Sequence, residues 1–90
     1  MSLIERDGNH DLSEYWQRVT YTVENRNGYV SITAHLPPGF SMPEFTRMYK
    51  LENAKTYGLS EWEYVELQQK EMFNDLIRRL PVADQAKLLS

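Results

Sequence analysis

The chain contains no cysteine and only two histidines, His10 and His35. Without thiols there is no disulfide, no thiolate nucleophile and no thiolate metal site, so stability must come from packing alone. No run of apolar residues approaches the length of a membrane span, and Met1 to Ile4 leads straight into Glu5, Arg6 and Asp7, which leaves no room for the apolar region of a signal peptide. A soluble, cytoplasmic protein is expected. Positive charge is also short: ten Lys and Arg stand against thirteen Asp and Glu, a net charge of −3. Long-range electrostatics therefore disfavour nucleic acid and anionic membranes as partners. There is no internal repeat and no low-complexity stretch.

What is present describes a folded protein. Ninety residues make one domain with a single small core, and an apolar fraction of 41% with 12% aromatic residues lies well away from the composition of disordered chains. A compact domain over 12–90 is expected, preceded by a flexible lead-in or edge strand over 1–11.

The strongest local pattern runs over 15–36. Val19, Tyr21 and Val23 alternate with polar residues, and beyond Asn27-Gly28 the alternation resumes with Val30, Ile32, Ala34 and Leu36. Asn-Gly supplies the two positive φ values of a type I′ turn, so the segment reads as a β-hairpin. Closing it there pairs Arg26 with Tyr29, Val23 with Ile32, Tyr21 with Ala34 and Val19 with Leu36. A one-residue slip would send one strand's apolar set into water. The opposite face then carries Trp16, Arg18, Thr20, Thr22 and Glu24 against Ser31, Thr33 and His35. Two strands are marginal alone, so helices must cover the apolar face or a third strand must be supplied by Leu3 to Arg6 or by another chain.

Ser41-Met42-Pro43-Glu44 resembles a helix start, and Phe45, Met48 and Tyr49 share a helical face, which predicts a helix over about 43–57 closed by Gly58. Ser60 and Glu63 form a capping box, acids lead and Arg78 and Arg79 trail, and Pro81 follows, which predicts a second helix over about 61–80. Its apolar residues Trp62, Val65, Met72, Phe73, Leu76, Ile77 and Leu80 span an arc of roughly 140° and read as core. Gln69 lies inside that arc, either as a buried amide that fixes register in a helix–helix or dimer contact or as a side chain at the core's rim. Tyr64 and Leu67 lie on the far side, either covered by other segments or exposed as an apolar patch. Val82, Ala86 and Leu89 suit a short C-terminal helix. The fold class is thus α+β: a hairpin, two helices and a short terminal helix.

Three motifs bear on chemistry. Ala54-Lys55-Thr56-Tyr57-Gly58-Leu59-Ser60 has an Ala-x-x-x-Gly-Leu-Ser spacing that resembles the turn of DNA-binding helix-turn-helix proteins, over about a quarter of the chain. That resemblance implies a following helix that enters the major groove. Here this helix opens with Glu61, Glu63 and Glu66, which repel phosphates, Asn53 stands where an apolar residue is usual, and Tyr64 is bulky where a branched aliphatic is common. No family is assigned on this basis, and the spacing reads more simply as a connection between packed helices. Asp7-Gly8-Asn9-His10-Asp11 opens like an EF-hand calcium loop, but Leu12 replaces the turn glycine and Arg18 the bidentate carboxylate. His35 with Ser31, Ser41 or Glu24 offers the residue types of a hydrolytic site without an activating context. Glu61 and Glu63, two apart on a helix, point in different directions.

The sequence therefore predicts a small protein-binding module, accessory or regulatory in role, homodimeric, with no catalytic activity, metal or cofactor. The expected contact residues are Trp16 as aromatic anchor, Arg18, Tyr29 and His35 on the outer hairpin face, with Tyr64 and Leu67 as the competing surface, since aromatic and Arg side chains dominate binding hot spots. The rival reading, a nucleic-acid-binding regulator, would use the helices over 43–57 and 61–80 and the basic residues Arg47, Lys50 and Lys55.

Overall fold

A computed structural model describes residues 13–90, so the calcium-loop motif and the proposed lead-in over 1–11 lie outside the described residues. A 3-10 helix, η1 (Ser13–Arg18), leads into three strands, β1 (Thr20–Arg26), β2 (Tyr29–His35) and β3 (Glu44–Lys50). A one-turn helix α1 (Asn53–Thr56), the long helix α2 (Glu61–Arg79) and a terminal helix α3 (Val82–Leu89) follow. The class is α+β, and the strands form one antiparallel sheet in the order β1-β2-β3.

The hairpin has the register that its alternation predicts, over a shorter span. Arg26 faces Tyr29, Val23 faces Ile32 and Tyr21 faces Ala34, while the expected Val19–Leu36 pair falls outside the ladder, which runs from Thr20 to His35 because the chain before it is a 3-10 helix. Asn27 and Gly28 take φ values of 50° and 83°, as a type I′ turn requires. Val30, Ile32 and Ala34 are almost fully buried and mark the inner face, on which α2 is laid.

The helix expected over 43–57 is the main correction. Residues 44–50 are a strand paired with β2, setting Phe45 against Ala34, Arg47 against Ile32 and Tyr49 against Val30, and only Asn53–Thr56 is helical. Phe45, Met48 and Tyr49 match a helical spacing, but Phe45, Arg47 and Tyr49 match a strand equally well. Local pattern cannot separate the two over so short a run. The deciding term is tertiary: β2 has a second edge of backbone groups to satisfy, and β3 satisfies it. Pro43 does not open a helix. Its carbonyl accepts from the Leu36 amide at 2.9 Å, one step beyond the β2–β3 ladder.

Helix α2 begins as expected. The Ser60 hydroxyl accepts from the Glu63 amide at 3.1 Å and the Glu63 carboxylate accepts from the Ser60 amide at 3.0 Å, the reciprocal bonds of a capping box. At its other end the buried Gln85 of α3 donates through Nε2 to the carbonyls of Ile77, at 2.8 Å, and Leu80, at 3.2 Å. This fills positions that a helix leaves without partners, and folds α3 back on α2. The buried surface of α2 is wider than the expected stripe, because Tyr64 and Gln68 are buried as well as Met72, Phe73, Leu76 and Ile77. The Tyr57 ring stacks on Tyr64 with centroids 6.0 Å apart.

Candidate binding surface

The six residues singled out for partner binding do not form one surface. Trp16 and Arg18 belong to η1 and not to β1, so neither lies on the outer sheet face. Trp16 is half-buried beside the core, its ring 5.6 Å from that of Tyr21, whose hydroxyl donates to the Trp16 carbonyl at 2.8 Å. Arg18 donates to the carbonyls of Leu88, at 2.8 Å, and Ser90, at 2.9 Å, and lies 4.5 Å over the Tyr15 ring. It therefore ties η1 to the C-terminal end of α3, where a cation is favoured by the helix dipole. Tyr64 is core, with only 2% of its surface exposed, and Leu67 is half-buried, so the two do not make an exposed patch.

Tyr29 and His35 do lie on the outer face, at opposite ends of β2 and some 20 Å apart at the usual rise of a strand. His35 Nε2 is 2.7 Å from the Thr22 hydroxyl, and its Nδ1 is 3.7 Å from the Glu44 carboxylate. The order hydroxyl, imidazole, carboxylate is that of a nucleophilic triad, but a triad acts on a carbonyl held beside oxyanion donors in a pocket. These three residues come from three neighbouring strands on an open sheet face, and none lines either cavity described below. Their geometry is that of cross-strand pairing, like the Thr33–Thr46 hydroxyl contact of 2.9 Å beside them.

The basic residues of the rival reading are also dispersed. Arg47 lies on the inner face, 2.9 Å from Asp75 of α2, and both Arg47 and Arg79 lie over the Phe45 ring at 5.1 and 5.2 Å. Lys50 alternates to the outer face and Lys55 stands on α1. With 44–50 in the sheet, the first helix of the expected helix-turn-helix is absent and only its turn and second helix remain.

Two of the cavities lined by described residues bear on binding, and both are open to solvent. The first, about 560 Å³, lies between the hairpin turn and the α1–α2 connection, and Lys50, Lys55, Glu52 and Glu61 give its wall charges of both signs. The second is a largely apolar groove of about 300 Å³ between β1 and the first turns of α2, lined by Val23, Val30, Leu51, Trp62 and Val65 together with Asn25, Glu61 and Gln69, which is buried rather than at the core's rim.

This groove marks where the core runs out. Trp62 and Leu80 are eighteen positions apart, about five turns, and so lie on the same line of α2. Leu80 is 4% exposed and Trp62 is 67% exposed. By angle Trp62 belongs to the core stripe, but the helix begins beyond the layer that buries its later turns. On the facing strand Val23 points to the inner side and is still 44% exposed.

The backbone adds a second property. Leu51 donates to the Gly28 carbonyl and Leu36 to that of Pro43, so the even-numbered residues of β2 bond to β3 and its odd-numbered ones to β1. In the same ladder the amides and carbonyls of Tyr21, Val23 and Asn25 turn away from β2, toward an edge of β1 that no other described strand pairs with. None of these three side chains is charged, and Glu24 beside them is neutralised by its own neighbour Arg26 at 2.9 Å.

No family model matches this chain, and no curated protein or solved structure matches it. Among the described residues, no group of His, Cys, Asp and Glu could hold a metal ion, and no helix is long and apolar enough to cross a membrane.

Proposed function

We propose that this chain is a small protein-binding module, accessory or regulatory in role and without catalytic activity, that receives an extended segment of a protein partner along β1. One observation carries this reading: among the described residues, a strand edge whose outward-turned residues are uncharged runs beside an apolar groove in which Val23 and Trp62 stay exposed. Main-chain groups of such an edge supply affinity, and the groove beside it takes alternate side chains of the added strand. A cytoplasmic setting belongs to the same proposal and is supported by a chain that needs no disulfide.

The test is capture by the immobilised full chain from a lysate with and without nuclease and across a salt series. A defined protein retained in both, and lost with Trp62→Ala, is the expected result. Retention that disappears with nuclease, or that is indifferent to Trp62, overturns the proposal.

A further inference from the structure

We infer that the segment received at the β1 edge is β1 of a second copy of this chain, in antiparallel pairing about a twofold axis at Val23. The inference rests on the binding reading above and names its partner.

Register selects this arrangement. An antiparallel pair must set outward-turned groups against outward-turned groups, so Tyr21, Val23 and Asn25 of one copy can oppose only those of the other. Placing the axis at Val23 pairs Val23 with itself, Tyr21 with Asn25, Thr22 with Glu24 and Thr20 with Arg26. All seven residues of β1 are used and no like charges face one another. Moving the axis one residue toward the turn would put Glu24 against Glu24, and moving it one residue back shortens the ladder.

The layer beneath the sheet points the same way. Near Tyr21 it is filled by η1, whose Trp16 rests on the Tyr21 ring, while near Asn25 it is open as the groove of Val23 and Trp62. Pairing Tyr21 with Asn25 brings the filled end of each copy to the open end of the other. The opposite sheet edge does not offer this. The inner side of β3 is already engaged by α2, through the Arg47–Asp75 ion pair at 2.9 Å and Arg79 over the Phe45 ring, so pairing there would bring no filled end to an open one.

The absence of cysteine makes the register measurable. Paired Val23 positions would stand about 5.5 Å apart between Cα atoms, within disulfide range. Sedimentation equilibrium of the full chain over micromolar to millimolar concentration should show a monomer–dimer equilibrium. It should be weakened about tenfold or more by Trp62→Ala, as for a hot-spot aromatic, and by Val23→Lys. Mild oxidation should link Val23→Cys into covalent dimers, while Met48→Cys, still more exposed on β3, stays monomeric. Circular dichroism melts of each variant check that the fold is retained. Dimers in which Val23→Cys links no faster than Met48→Cys overturn the inference, as does a chain that stays monomeric. In a monomeric chain, slow hydrogen exchange at the amides of Tyr21, Val23 and Asn25 would identify the chain's own N-terminal segment as the occupant. A monomer that still captures a different protein through Trp62 would refute self-pairing while leaving the binding reading in place.

Discussion

The two edge strands of this sheet are chemically unlike. On β3 the outward-turned backbone groups belong to Glu44, Thr46, Met48 and Lys50, and the inner side is held against α2 by the Arg47–Asp75 ion pair and by the Arg79 guanidinium over Phe45. On β1 the outward groups belong to three uncharged residues, and the inner side at Val23 faces an open groove. Charged edges deter further pairing and uncharged ones invite it. Among the described residues, the two edges of one sheet thus differ in charge and in cover, although both strands hang on the same central strand.

The comparison breaks most completely at β2, which serves both edges. Ile32 is fully buried, so Ile32→Ala should cost about 2–5 kcal/mol and lower both edges together in one cooperative transition, read by chemical denaturation. A smaller loss, of about 1 kcal/mol, is expected for Ser60→Ala, which removes the cap of α2 at the groove end without touching either strand.

On the β3 side, Arg47→Ala should destabilise by about 1 kcal/mol or less, because its ion pair is partly solvated. On the β1 side, Val23→Lys should change unfolding free energy by no more than about 0.5 kcal/mol and should show its effect in association instead. Equal stability losses at Arg47 and Val23 would erase the distinction between the edges.

Acid and alkali probe the ends of the layer. The Ser60 amide holds the Glu63 carboxyl below its ordinary value, and the Ser41 amide does the same for Asp84, helped by Lys87. A carboxyl depressed in the folded state contributes stability that is fully present above its unfolded value, near pH 4, and is lost as pH falls through the folded one. The melting temperature should therefore fall below about pH 4, and Asp84→Asn should flatten that fall. Burial raises the Tyr21 and Tyr49 phenols above their ordinary value. For these groups the sign is opposite: stability is present below about pH 10 and is lost as pH rises beyond it.

Much of this was legible along the chain. Asn27-Gly28 and the two-residue alternation specified the hairpin and its register, and Ser60, Glu63 and Pro81 specified both ends of α2, because turn chemistry and capping act over a few residues. The surface was less legible. Trp62 fits the core stripe of α2 by angle, and only the extent of the layer beneath it shows that it is bare. Arg18 and Gln85 gave no signal of their own, since each bonds to carbonyls of another element. Trp16 looked like an outer-face anchor because the alternation was extended back through 15–18, where the chain forms a 3-10 helix.

By itself the sequence determined the hairpin, the long capped helix, the α+β class and the need to fold without covalent links, for these follow from local periodicity, turn residues and composition. Tertiary structure alone decided that 44–50 is a strand, since its pattern suits either element and the free edge of β2 chose. It also decided which edge no other described strand covers, and that Trp62 is left bare. Those are properties of where one layer stops covering another, and no stretch of sequence carries that boundary.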